Sequence, residues 1–177
     1  AIECINWCVD KGATISSNSW GGGSYSSGLY QAIQAAGARG HLFVAAAGNS
    51  GQNIDLSPEY PAGYDLDNII SVAASDSSDT LASFSNYGSQ RTDIAAPGVG
   101  VLSTVNGGGY ASYSGTSMAC PHVAGVAASS NTLSAYPAVK NLILQNSDQF
   151  HQHLADDQRK SRNIEKMFLL NLSLIHI

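Results

Sequence analysis

Charge is scarce in this chain. Only 12% of its 177 residues are charged, 13 acidic against 8 basic, for a formal net charge of −5. A nucleic-acid surface needs clustered Lys and Arg, so that class of partner is excluded. With 44% hydrophobic residues the chain is not a disordered polyelectrolyte either. No apolar run approaches the roughly 18 residues of a membrane span. Three cysteines (Cys4, Cys8, Cys120) are too few for a disulfide scaffold. The chain opens at Ala1 without a Met or a basic-then-apolar leader, and we read it as a piece of a longer protein. Its length suits one domain.

Composition divides the chain. All 18 glycines lie at or before Gly125. Lys11, Arg39 and Arg91 are the only basic residues before residue 128, and the other five follow it. Nine carboxylates before residue 128 and four after leave the two parts at −6 and +1.

The first part alternates helix and strand. Ile2, Ile5 and Val9 fall at helical spacing, and Gly12 ends that helix. Thr14 to Ser19 reads as a short strand, and Leu29 to Ala38 as an amphipathic helix. His41 to Ala47 and Ile69 to Ala74 are apolar enough for buried strands, with shorter ones at Ile94 to Ala96 and Val99 to Thr104. A helix is expected from Ser117 through Ala128. Continuous apolar strands alternating with helices mean an α/β fold: a mostly parallel sheet with helices on both faces. Sites in such sheets lie beyond the carboxyl ends of the strands, and three of those segments carry chemistry.

The strongest runs Gly115-Thr116-Ser117-Met118-Ala119-Cys120-Pro121-His122-Val123-Ala124-Gly125. Ser117 opens a helix, where the dipole and free N–H groups favour developing negative charge. A serine attacking an acyl group needs that environment. Pro121 removes the hydrogen bond to the Ser117 carbonyl and is expected to distort the first turn. Taken alone, a serine here also fits a simple cap. The whole string, however, resembles the nucleophile motif of the subtilisin-like serine proteases, the subtilase family, from about Ile2 to Ala127.

That resemblance implies a three-layer subtilisin-like fold, here without its N-terminal part, and assigns roles to the other two segments. Ala45-Ala46-Ala47-Gly48-Asn49-Ser50-Gly51 would supply Asn49 as an oxyanion donor beside the Ser117 backbone N–H. Read by itself, an Asn flanked by glycine is a turn residue. Ser17-Asn18-Ser19-Trp20-Gly21-Gly22-Gly23 resembles the substrate-binding segment, with Ser19, Trp20 and Gly21 pairing with an extended peptide. Trp20 also suits an ordinary core position. Ala46, Ala47 and Gly48 would line the pocket for the residue before the scissile bond, with Tyr60-Pro61-Ala62 at its base. These segments carry no charge, so an apolar or aromatic preference is expected there.

Other residues read as structural. Ser83 to Gly88 and Ile94 to Gly98 match family segments of the scaffold. His122 lies about 140° around the helix from Ser117 and is a poor base; His41 opens a strand. Cys4 and Cys8 share a helix face and are expected to be buried thiols, because a disulfide within one turn is strained. Asp55, Asp65, Asp67, Asp76 and Asp79 are read as solvated loop carboxylates, although the resemblance leaves a structural calcium open. No cofactor is expected for the chemistry.

A catalytic triad also needs a His and an orienting Asp, which subtilisins carry upstream in Asp-Ser/Thr-Gly and His-Gly-Thr-like motifs. No Asp and no His in residues 1–177 precedes a Gly. The expectation is therefore a secreted, monomeric serine endopeptidase acting on polypeptides, of which these residues alone are inactive. Two alternatives are a noncatalytic subtilase-like peptide-binding module and a different serine hydrolase such as a lipase. The lipase motif Gly-x-Ser-x-Gly fails at Ala119. We divide the chain into a partial catalytic domain (1–130), a divergent C-terminal helical segment (131–171) and a tail (172–177). The tail matches a translated transposon sequencing adapter and is read as non-native.

Overall fold

The computed structural model describes residues 1–130, 136–147 and the pair 168–169. The expected division at 131–171 and the tail at 172–177 therefore fall largely or wholly outside the described residues.

In chain order the elements are α1 (Ile2–Asp10), β1 (Ile15–Asn18), α2 (Ser27–Ala38), β2 (Leu42–Ala46), β3 (Ile69–Ser75) and β4 (Ile94–Pro97). A hairpin follows, β5 (Val101–Thr104) and β6 (Tyr110–Tyr113), then α3 (Thr116–Ser130), α4 (Tyr136–Ser147) and β7 (Phe168–Leu169). The main sheet has the order β1-β2-β3-β4-β7, and every pair in it is parallel.

Alternation along the strands divides the core between two faces. Leu42, Val44 and Ala46 of β2, with Ile70, Val72 and Ala74 of β3, pack on α3 through Ala119, Val123 and Ala127 and on α4 through Val139 and Ile143. Phe43, Ala45 and Ile69 point the other way, onto Ile5 and Val9 of α1 and Ile33 and Ala36 of α2. Sheet and helices make the expected three layers. Burying this much aliphatic surface is the main stabilising term, at roughly 25 cal/mol per Å².

Two expectations need correction. Val101–Thr104 is not part of the parallel sheet; it pairs antiparallel with Tyr110–Tyr113 across a loop holding Gly107, Gly108 and Gly109, all at positive φ. Nor are Cys4 and Cys8 buried: Cys4 is exposed, Cys8 is half-buried, and both are free thiols. α1 buries the stripe through Ile5 and Val9, and each cysteine sits one residue earlier, about 100° round the helix and outside that stripe.

Candidate active site

The ends of β1, β2 and β4 converge on the start of α3. One cleft of about 350 Å³ is lined by Ser19, Trp20 and Gly21 after β1, Ala46 to Asn49 at the end of β2, and Thr116 and Ser117 of α3. Of the segment expected at the pocket's base, Tyr60 also lines this cavity, whereas Pro61 and Ala62 are not among its lining residues. Gly98 fixes the approach of α3. Its carbonyl accepts from Gly115 N–H at 2.8 Å, and a Cβ there would come within 2.6 Å of Ala74 Cβ.

Thr116 is fully buried and locks Asn49. Thr116 N–H donates to Asn49 Oδ1 at 2.8 Å, and Thr116 Oγ1 donates to the same oxygen at 3.0 Å while accepting from Gly48 N–H at 3.2 Å. A backbone N–H can only donate, so the atom facing Thr116 must be the amide oxygen. Asn49 Nδ2 is thereby turned away and donates to no acceptor among the described residues. The Ser117 N–H, in the first turn of α3, also meets no acceptor among them. Two uncommitted donors thus flank a half-buried serine.

The carbonyl freed by Pro121 has a partner. Ser117 O accepts from Ser19 Oγ at 2.9 Å, and Ser117 Oγ lies 3.5 Å from Ser19 O. Pro121 sits inside α3 without ending it. The missing i+4 bond is replaced by a bond that ties the β1 segment to the serine.

The loop after β2 is held by Asn86, which has no exposed surface. Its Nδ2 donates to Ala47 O at 2.9 Å, and its Oδ1 accepts from the N–H groups of Ser50 and Gln52, both at 3.0 Å. Gly48 follows with φ +105°, and a Cβ there would meet Asn86 Nδ2 at 2.3 Å and Glu59 Oε2 at 2.4 Å, so only glycine fits.

Trp20 is 40% exposed and meets Phe43 edge-on, with centroids 6.2 Å apart; it walls the cleft and is not a core residue. Gly22 N–H donates to Tyr60 O at 3.2 Å, bringing Tyr60 to the cleft. Three residues were not identified from the sequence: Thr116 and Asn86, each inside a recognised segment, and Glu59, which is outside all of them and lines the cleft. Polar side chains that act by hydrogen bonds across the fold leave no spacing signal in the chain.

The histidines described do not serve Ser117. His122 Nδ1 bonds Met118 O at 2.9 Å, within its own helix. His41 is buried, with Nδ1 2.8 Å from Ala13 O and Nε2 2.8 Å from Ser16 Oγ. Burial lowers its pKa, partly opposed by the Ala13 bond. On the sheet-facing side of α3, burial pushes the Cys120 thiol up, so it stays protonated, with Sγ 3.4 Å from Val44 O.

Asp55 is not a solvated carboxylate. It accepts from the N–H groups of Ser89 (2.7 Å) and Arg91 (2.9 Å) and from Gln90, and organises that loop. Both of its oxygens take part in these bonds. Asp76 accepts from Ser78 and Thr80 N–H in the same manner. Asp65, Asp67 and Asp79 are exposed. Among the described residues no group of three or more His, Cys, Asp or Glu converges on a metal-sized point, and no helix is long and apolar enough to cross a membrane.

The family model described as "Subtilase family" matches residues 1–163. Thermitase of Thermoactinomyces vulgaris is 50% identical over 123 residues, which is 70% of this chain and 42% of that protein. Alkaline elastase YaB of Bacillus sp. (strain YaB) is 48% identical over 124 residues, 70% of this chain and 31% of that protein. Subtilisin BL of Lederbergia lenta is also 48% identical over 124 residues, again 70% of this chain and 44% of its own length. The chain thus spans less than half the length of these relatives. With a parallel three-layer fold, a cleft that gathers the serine motif and a family match over most of its length, the chain belongs to the subtilase family.

Proposed function

We propose that this chain carries the nucleophile and oxyanion hole of a serine endopeptidase that cleaves polypeptides. Ser117 Oγ attacks the scissile carbonyl and forms an acyl-enzyme. Asn49 Nδ2 and the Ser117 N–H stabilise the oxyanion, and water then releases the acyl group. The observation that carries this reading is the orientation of Asn49. Thr116 takes its carbonyl oxygen, which leaves its amide N–H groups uncommitted in the same cleft as Ser117. Ser19 to Gly21 form a backbone edge on which an extended peptide adds as a strand.

The proton on Ser117 needs a base. His41 and His122, the histidines among the described residues, are both engaged elsewhere. In this proposal a secreted full-length protein supplies the His and Asp, and residues 1–177 alone are inactive. The relatives' names, thermitase, elastase and subtilisin, support the peptidase reading.

Hydrolysis of a peptide amide by the full-length protein, by Ser117→Ala and by the 177-residue chain tests this. Turnover is expected only from the first. Turnover that survives Ser117→Ala, or that the isolated chain sustains, refutes it. Peptide binding by the full-length protein without any turnover would favour a noncatalytic binding module instead.

A further inference from the structure

Glu59 is the only charged residue among those lining the Ser117 cleft. It precedes Tyr60, outside the three uncharged segments from which an apolar preference was expected. Its Oε1 accepts from Ser50 Oγ at 2.6 Å, which anchors the carboxylate to the residue after Asn49. Its Oε2 lies beside Gly48, where the missing side chain leaves room for it. The ion pairs among the described residues are Arg39–Asp10 and Lys140–Asp93, and neither involves Glu59. The cleft therefore presents a half-buried, acceptor-only group with a positioned hydroxyl on one oxygen and, among the described residues, no cation paired with it. Partial burial lowers the local dielectric and strengthens any charge that pairs with it.

We propose that Glu59 selects substrates with a lysine or arginine side chain before the scissile bond; this rests on the reading of the cleft as a peptide-hydrolysing site. A long cationic side chain entering between Ala47, Gly48 and Tyr60 buries its apolar stem against the walls and brings its head to the carboxylate. The result is a charge-assisted hydrogen bond, about twice as strong as a neutral one. A leucine there fills space but brings no charge to the carboxylate, whose partner remains the Ser50 hydroxyl, and a glutamate is repelled.

The test uses the full-length protein and matched peptide amides that differ only at that position: Lys, Arg, Leu or Glu. The expected kcat/KM for Lys and Arg exceeds that for Leu by about tenfold or more, the scale of one charge-assisted bond. Glu59→Gln, nearly isosteric, should collapse the Lys-to-Leu ratio toward one, and Glu59→Lys should turn the preference toward Glu. A wild-type preference for Leu over Lys, or a Lys advantage that survives Glu59→Gln, overturns the assignment. A second readout needs no turnover. Full-length Ser117→Ala protein, titrated with peptides ending in Lys or Leu, should bind the Lys peptide about tenfold more tightly. Glu59→Gln should abolish that difference, and equal affinities overturn the proposal. Absent turnover with the binding difference intact counts against the peptidase reading and in favour of the role of Glu59.

Discussion

The Asn86 side chain makes three hydrogen bonds to the loop that carries Asn49, and removing its amide gives the sharpest test of how that loop is held. In Asn86→Ala the carbonyl of Ala47, a residue with no exposed surface, loses the donor 2.9 Å away. Leaving a buried polar group unpaired costs about 1–3 kcal/mol. The N–H groups of Ser50 and Gln52 lose the shared acceptor at 3.0 Å. Both residues are exposed, so water replaces that oxygen and the net loss is about 0.5–1 kcal/mol each. The sum is about 2–5 kcal/mol, a large share of the 5–15 kcal/mol typical of a whole domain. Urea denaturation of the full-length protein should show a lower midpoint with an unchanged m-value. Asn86→Asp should be at least as damaging, because an acceptor then faces the Ala47 carbonyl. In both variants kcat should fall more than KM rises, since the loop that aims Asn49 is loosened and the peptide edge at Ser19 to Gly21 is not. A destabilisation below about 1 kcal/mol for Asn86→Ala would refute the argument that this amide holds the loop.

Two further predictions follow from the same accounting. If Ser19 Oγ serves the carbonyl that Pro121 leaves unpaired, Ser19→Ala should cost about 1 kcal/mol in the native protein and less in a Pro121→Ala background, where a backbone N–H returns. A double-mutant cycle should give a coupling of about 0.5–1 kcal/mol, and strict additivity would sink the idea. His41, whose pKa burial lowers from 6.5, binds its proton more readily unfolded than folded. Its contribution is intact above about pH 6.5 and is lost as pH falls from there toward the folded value, with a slope of at most about 1.4 kcal/mol per pH unit. A ring titration followed by NMR in the native protein should have its midpoint below 6.5; a midpoint at or above that value would show that burial is not the dominant influence.

Much of the fold was legible in the sequence because the buried strands announce themselves. Leu42 to Ala46 is apolar throughout and Ile69 to Ser75 nearly so, with only small serines at 71 and 75, as strands covered on both faces must be. α1 and α2 were legible from helical periodicity with Gly12 and Gly40 beyond their ends. The β5–β6 hairpin was not, since its outward residues have no alternating pattern: Leu102, Tyr110 and Tyr113 are exposed apolar side chains. Cys4 and Cys8 went wrong for a related reason. Their spacing defines a helix face but does not say which face the sheet covers.

The site divides along the same line. The linear strings around Ser117, Asn49 and Ser19 drew attention to these residues through their resemblance to subtilase motifs; taken singly, the serine also reads as a cap and the asparagine as a turn residue. Local features are fixed by neighbours a few positions apart, and sequence records them directly. Only the tertiary structure decided that these strings share one cleft, that Thr116 orients the Asn49 amide, that Ser19 compensates for Pro121 and that Glu59 sits among uncharged walls. Each of these joins residues from 9 to 98 positions apart. A hydrogen bond or a charge across such a separation depends on where the sheet brings the strand ends together, and residue spacing along the chain carries no trace of it.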